Sequence, residues 1–407
     1  MIYRNLGGEE VSALGFGCMR LPVVEGKAEA VDDAAALEVF DTLYEGGVTY
    51  VDTAYSYHMG ASERFLGRAL PRYDRSRLKV ATKMPGHEIR PDFNPAAIFA
   101  NQLERTGAGY FDYYLMHNVC EISLERYMDP ELDVLGFLLE QKRRGLIRHL
   151  GFSCHGQLPT LRRFLEYCDM RAPGQVEFVQ LQLNYVDWLL QQGAAKYDAV
   201  REAGCDVVVM EPLRGGALAR MEGAHADELA AIMGACGAKT QAEAAFRWVL
   251  GLEGAKVILS GMGTREQAED NLRTFAGVAE GGPEPLAEGS EARAALDALG
   301  RGMADMSPCT ECRYCTRECP LELDIPLFVR LRDDSRFGAS VNLGMQIDAL
   351  PPEKRPDACL GCGMCAMVCP QNIPIPERLA ELAERVAKIP HWAEVSAARV
   401  AAERAEG

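Results

Sequence analysis

The sequence predicts an α/β fold: a (β/α)8 TIM barrel followed by a small, mostly α-helical unit. Three observations predict it. Short β-rich runs alternate with longer helix-period stretches across residues 1–278, and such alternation implies a parallel sheet covered by helices. Eight repeats in about 280 residues match a closed barrel better than an open doubly wound sheet. Near the C-terminus one cysteine pattern is written twice, which marks a second unit.

The predicted strands are 13–19, 49–53, 79–83, 113–117, 149–153, 178–183, 206–211 and 256–260. Helical periodicity fills 32–45, 62–70, 94–106, 132–144, 158–167, 191–202, 240–250 and 264–275. Gly46-Gly47, Gly145 and Gly204 follow their helices, where a left-handed terminating residue is needed. The barrel is assigned to 1–278. Glu280-Gly281-Gly282-Pro283-Glu284-Pro285 breaks the composition and reads as a linker. It opens a connecting segment, 279–303, that ends in a helix over 290–303. The cysteine-rich domain is 304–378, and the tail is 379–407, with a helix over 379–388 and a frayed end from Ala397.

Composition narrows the function classes. Apolar residues make up 48% and charged residues 25%, ordinary for a globular enzyme with a full core. A net charge of −16 repels nucleic acid and anionic lipid, so neither is an expected partner. The N-terminus lacks a basic stretch followed by an apolar core, and no apolar run reaches about eighteen residues. A cytoplasmic protein is therefore expected. Fourteen cysteines then point to metal ligation rather than disulfides. Cys18, Cys120, Cys154, Cys168, Cys205 and Cys236 lie outside the repeated runs and read as small buried apolar residues.

The repeated pattern is C-x2-C-x2-C-x3-C-P. It occupies Cys309, Cys312, Cys315, Cys319 and Pro320, then Cys359, Cys362, Cys365, Cys369 and Pro370. Bacterial ferredoxins hold pairs of [4Fe–4S] clusters with this run, the fourth cysteine of each ligating the other run's cluster. The spacing therefore predicts one cluster on Cys309, Cys312, Cys315 and Cys369, and a second on Cys359, Cys362, Cys365 and Cys319. Zinc knuckles and disulfides are the alternatives, but zinc usually takes two CxxC pairs farther apart, without a third cysteine in tight register.

Reactive groups of a TIM barrel belong at the C-terminal ends of its strands. Asp52, Lys83 and His117 sit there on three consecutive strands, and Tyr57 follows in the loop after Asp52. Singly, each has an ordinary explanation: a helix cap, a solvated amine, a satisfied core imidazole. Convergence on one face makes them a candidate site.

On these residues a resemblance rests. Asp52-Thr53-Ala54-Tyr55-Ser56-Tyr57, then Ser62-Glu63 and Leu66-Gly67, resembles the D-T-A-x-x-Y signature of the aldo/keto reductase superfamily. Ala81-Thr82-Lys83, Tyr114-Leu115-Met116-His117 and Gly151-Phe152-Ser153 follow in the family's order. The whole chain resembles the iron–sulfur branch of that superfamily. The resemblance implies a catalytic tetrad of Asp52, Tyr57, Lys83 and His117. Its logic is physical: a phenol with a pKa of about 10 is a poor acid until an ammonium favours its ionised form. Lys83 would supply that charge, Asp52 would hold Lys83, and His117 would polarise the carbonyl.

No G-x-G-x-x-G follows a first strand, so a Rossmann site is unsupported. Phosphates can instead bind the loops after the last two strands, here Pro212-Leu213-Arg214-Gly215-Gly216 and Ser260-Gly261-Met262-Gly263-Thr264. Tight turns with nothing bound are the alternative. The resemblance implies a nicotinamide dinucleotide, with Ser153 and Gln180 on the carboxamide and Asn271 near the adenine. Met210 stands where the family stacks a Tyr, and Cys154 where it has Asn. Gly261 and Gln267 occupy its positions for 2′-phosphate cations, which favours NADH over NADPH unless Arg265 or Arg214 compensates. His58 reads either as a pocket residue or as a surface loop residue.

Three functions are consistent with these parts. One is a carbonyl or alcohol oxidoreductase acting on a small molecule, its clusters linked to a soluble ferredoxin- or flavodoxin-type carrier. Another is a plain nicotinamide reductase with structural or oxygen-sensing clusters. The third is an electron-transfer protein with an idle barrel. A flavin would bridge one- and two-electron chemistry, but no flavin motif is present.

Overall fold

The computed structural model describes residues 1–88, 92–338 and 340–406. A two-stranded antiparallel hairpin, β1 (Tyr3–Leu6) and β2 (Glu9–Ser12), precedes eight parallel strands. These are β3 (Leu14–Gly17), β4 (Tyr50–Asp52), β5 (Lys79–Met84) and β6 (Phe111–Val119). They continue with β7 (Ile147–Cys154), β8 (Val176–Gln182), β9 (Asp206–Met210) and β10 (Ala255–Ser260). The strands close into a barrel in chain order, β10 pairing with β3. Each of the eight strands expected from the sequence is present.

The closure follows from burial on both faces. Tyr50, Ala81, Tyr113, Leu115, Phe178, Val208 and Val257 fill the barrel's interior, while the opposite residues of each strand pack under the helices. Leu6 and Val11 of the hairpin join the interior layer and plug one end. Helix starts carry polar caps: Asp32 accepts from the amides of Ala34 and Ala35, and Asn94 from those of Ala96 and Ala97.

Helix Glu291–Ala304 leads out of the barrel and packs tightly against it. A Cβ at Gly300 would collide with the Tyr185 carbonyl oxygen, so only glycine fits there. The second domain is mostly helical, with short turns Tyr314–Arg317 and Met364–Met367 in the cysteine runs and longer helices Ile325–Ser335, Val341–Asp348 and Ile375–Val386. Its core includes Cys315 and Cys365 beside Leu323, Ile325, Phe328, Ile373 and Leu379.

Two expectations need correction. The tail was expected to fray from Ala397, yet a helix runs from Trp392 to Glu406. Ser396 and Val400 on it are 0% and 7% exposed, so tertiary contact holds it. A helix at Ala224–Cys236 also lay outside the expected set. Among the described residues no helix is long and apolar enough to cross a membrane.

Candidate active site and cluster sites

Three consecutive strands and the loop after the first bring the expected tetrad together. Lys83 is 0% exposed, and its ammonium donates to Asp52 Oδ1 (2.6 Å), the Thr53 carbonyl (2.8 Å) and Tyr57 Oη (3.2 Å). Three protons thus meet three acceptors. The Tyr57 and His117 rings lie 5.7 Å apart, edge to face. His58 does not line this pocket: it holds a loop, its Nε2 accepting from the Leu21 amide (3.2 Å) and its Nδ1 facing the Ala28 carbonyl (2.7 Å).

Burial dominates the electrostatics. It pushes the Asp52 carboxyl up, against the pull of Lys83. Burial opposes the charge on Lys83, but Asp52 and then Tyr57 hold its pKa above the ordinary value. The Tyr57 phenol is raised, burial outweighing the lowering effect of Lys83. The ammonium therefore acts in the expected direction without winning, and the phenol stays protonated at neutral pH. Burial, then His87 and Lys83, holds His117 well below the usual imidazole range, so it is neutral. Its Nδ1 is buried without a hydrogen-bond partner among the described residues.

Several of the residues expected at a dinucleotide carry protein partners. Ser153 Oγ accepts the Asn118 amide (2.8 Å). Gln180 Nε2 lies 3.5 Å from Met210 Sδ, and Gln180 Oε1 is buried with no partner among the described residues. That orphaned oxygen fits a carboxamide N–H. Gly215 adopts φ 67°, Ser260 accepts from Asn271 Nδ2 (2.9 Å), and Gln267 accepts the Gly263 amide (2.8 Å). Leu213 is packed against the barrel core. The Arg20 side chain lies across these loops, where a Cβ at Gly261 would meet it at 3.0 Å. Neither candidate cation is unpaired. Arg214 binds Asp187 (2.9 Å) and Asp334 and lies over Phe337 (4.2 Å), while Arg265 pairs with Glu269 (2.8 Å).

The cysteines group as the crossed arrangement requires. One cavity is lined by Cys309, Cys312, Cys315 and Cys369. A second is lined by Cys359, Cys362, Cys365 and Cys319. The four thiols of each set thus line one small cavity. Burial raises the Cys309 thiol, and Cys369 and Cys312 add to it. Cys365 is pushed up to about 11 by burial, then by Cys359, with Cys319 also contributing. Thiols that crowd one another in this way fit a cationic iron cluster, which takes them as thiolates. Of the other six cysteines, five are buried and Cys236 is half-buried.

The second domain reaches the barrel mouth. Asn118 Nδ2 contacts Asn342 Oδ1 (3.4 Å) and Met345 Sδ (3.7 Å), and Arg330 donates to Gln157 Oε1 (2.8 Å). Trp392 donates its indole N–H to the His87 carbonyl (2.7 Å). Arg20, His87, Asn118, Asp334, Trp392 and Arg399 escaped the reading of the sequence. Only the tail carried a signal: Trp392, Ser396, Arg399 and Val400 share one helix face.

A buried Tyr–Lys–Asp–His cluster at a parallel barrel's C-terminal face, joined to two thiol-ringed cavities, defines a redox protein of two modules. The chain belongs to the aldo/keto reductase family, whose model matches residues 13–279, and a 4Fe-4S dicluster domain model matches residues 305–373. It is similar to a probable aldo-keto reductase 1 of Glycine max, 27% identical over 218 residues, 51% of this chain and 58% of that protein. It is also similar to the NADH-specific methylglyoxal reductase of Escherichia coli (strain K12), 26% identical over 198 residues, 44% of this chain and 57% of that one. The chain thus spans a little over half the length of these curated relatives. Among solved structures, a thermostable aldo-keto reductase in complex with the inhibitor epalrestat is 27% identical with a TM-score of 0.58, covering 74% of this chain and 100% of its own. The holo form of an aldo-keto reductase from Bacillus halodurans shares the fold at 24% identity and a TM-score of 0.58, covering 74% and 96%.

Proposed function

We propose that the barrel reduces a small carbonyl compound, or oxidises the corresponding alcohol, with a nicotinamide dinucleotide, and that two [4Fe–4S] clusters connect it to a soluble ferredoxin- or flavodoxin-type electron carrier. The supporting observation is the Lys83 ammonium, fully buried and shared between Asp52, the Thr53 carbonyl and Tyr57. When bound, the nicotinamide gives or takes a hydride and each cluster carries one electron at a time. Ser153 and Gln180 orient the carboxamide. Tyr57, still protonated, delivers a proton to the developing alkoxide. Lys83 stabilises the phenolate left behind, and neutral His117 donates a hydrogen bond to the same oxygen. Asp52 keeps Lys83 charged and in place.

NADH is the favoured dinucleotide, because Arg214 and Arg265 are both committed to carboxylates and a 2′-phosphate would compete with those pairs. The crossed cysteine sets are the cluster ligands: Cys309, Cys312, Cys315 and Cys369 for one, and Cys359, Cys362, Cys365 and Cys319 for the other. A second reading has its own support. The cluster domain's Asn342 and Met345 cover Asn118 at the barrel mouth, so the clusters could serve to hold that cover. Anaerobic NADH and aldehyde added to cluster-loaded protein separate the readings. Hydride transfer to the carbonyl consumes both electrons of one NADH, so the electron link requires a one-/two-electron switch of the flavin class that passes the pair from a further NADH singly to the clusters. Cluster bleaching by NADH in excess of aldehyde supports that link, and turnover with silent clusters supports the second. Activity unchanged in Tyr57→Phe would defeat both.

A further inference from the structure

The helix Trp392–Glu406 roofs the tetrad without supplying a proton donor or a dinucleotide contact. Trp392, 2% exposed, stacks on His87 with centroids 5.5 Å apart at 28°. The His87 ring meets His117 edge-on at 4.5 Å, and His117 meets Tyr57 at 5.7 Å. An unbroken file of rings therefore joins the roof to the proton donor. Arg399 lies two turns along the same helix face, its guanidinium carbon 5.1 Å from the Trp392 centroid.

The charges around this roof do not match Arg399. His87 and His155 are held near 3, each first by burial, and His117 is also neutral. Lys83 is balanced by Asp52. Arg126 donates to the backbone carbonyls of Gly86 and Glu88. Burial lowers the Arg399 pKa while the Glu88 carboxylate and Tyr57 raise it, so both lie within electrostatic reach of the guanidinium. A half-buried guanidinium facing neutral rings retains its capacity for a carboxylate, which it binds with two parallel hydrogen bonds.

We infer that Arg399 determines substrate specificity, and that the carbonyl substrate bears a carboxylate which Arg399 binds while Tyr57 and His117 hold the carbonyl oxygen. This rests on the carbonyl-reduction reading. It assigns the C-terminal helix to the active site and makes the preferred substrate an oxo acid of small size.

The test uses full-length, cluster-loaded protein under anaerobic conditions with NADH and a matched pair, 4-oxobutanoate and butanal. Wild type should favour 4-oxobutanoate. Arg399→Gln should lower kcat/KM for 4-oxobutanoate by about 10- to 100-fold, mostly through KM, the size of one charge-assisted hydrogen bond. Butanal turnover should not change, and Arg399→Lys should restore part of the loss. Glutarate, which has no carbonyl to reduce, should bind wild type more tightly than Arg399→Gln by a similar factor in calorimetric titration. Equal loss on both aldehydes, or glutarate binding indifferent to the substitution, overturns the inference. If glutarate binding depends on Arg399 but neither aldehyde turns over, the anion site stands and the carbonyl-reduction reading falls. If butanal turns over with Tyr57 dependence while Arg399 affects neither substrate, the reverse holds.

Discussion

Replacing Lys83 with methionine removes one member of an ion pair whose side chains are 0% and 2% exposed. Three hydrogen bonds go with it, at 2.6, 2.8 and 3.2 Å. Removing one partner of a buried pair costs about 3–5 kcal/mol, because the other charge is left desolvated and unpaired. Asp52 can escape part of that cost by taking up a proton, since burial already raises its carboxyl. Its folded pKa in the variant would lie further above the unfolded value of about 3.9. The native state then binds the proton more tightly than the unfolded one, so the penalty is small at acid pH and grows as pH rises through the folded pKa. Urea unfolding of Lys83→Met at pH 5 and pH 8 should show the larger loss at pH 8. Adding Asp52→Asn should recover most of it, because an amide carries no charge. Aldehyde reduction should fall by about 10²- to 10⁴-fold in both variants, as Tyr57 loses its cationic partner. Equal stability of the single and double variants would refute the claim that an unpaired carboxylate causes the loss.

The raised Tyr57 phenol predicts a reduction rate that is flat through neutrality and falls as pH climbs through a phenol pKa above about 10. Because His117 sits well below its usual range, a pH–rate profile of cluster-loaded protein should show no step near 6.5. In a variant lacking Cys309, Cys312 and Cys315, only the second cluster should remain. There Cys319→Ser should abolish its low-temperature EPR signal while Cys369→Ser leaves it intact, and the opposite pattern would disprove the crossed ligation. NADPH should bind at least about tenfold more weakly than NADH, since Arg214 and Arg265 are both committed to carboxylates; anaerobic fluorescence titration measures the ratio.

Much of the barrel was legible because its strands are short runs buried on two faces, such as Val207-Val208-Val209, all 0% exposed, and because glycines and polar caps punctuate its helices. The hairpin escaped notice. Its strands are only four residues long, although Gly7-Gly8 at φ 62° and 89° marked the turn. The tail misled for a different reason. Its alanine-rich sequence has few large apolar residues, and what holds it is the burial of Trp392, Ser396 and Val400, with Trp392 meeting His87 far away in the chain. The tetrad was visible because Asp52, Lys83 and His117 lie at the C-terminal ends of consecutive strands and Tyr57 follows Asp52 closely in the chain. Arg214 pairing with Asp334 was not, since nothing local links residues 120 positions apart. The sign of the Tyr57 shift also needed the structure, because it depends on how much burial opposes one nearby ammonium.

The central claim is that hydride passes directly between a nicotinamide and a substrate carbon held at Tyr57. Cluster-loaded protein turned over anaerobically with 4,4-dideuterated NADH and 4-oxobutanoate tests it, with the alcohol carbon of the product examined by mass spectrometry and NMR. The account predicts deuterium on that carbon, and far less of the same deuterated product from Tyr57→Phe in the same time. Product alcohol that carries only solvent hydrogen would contradict it.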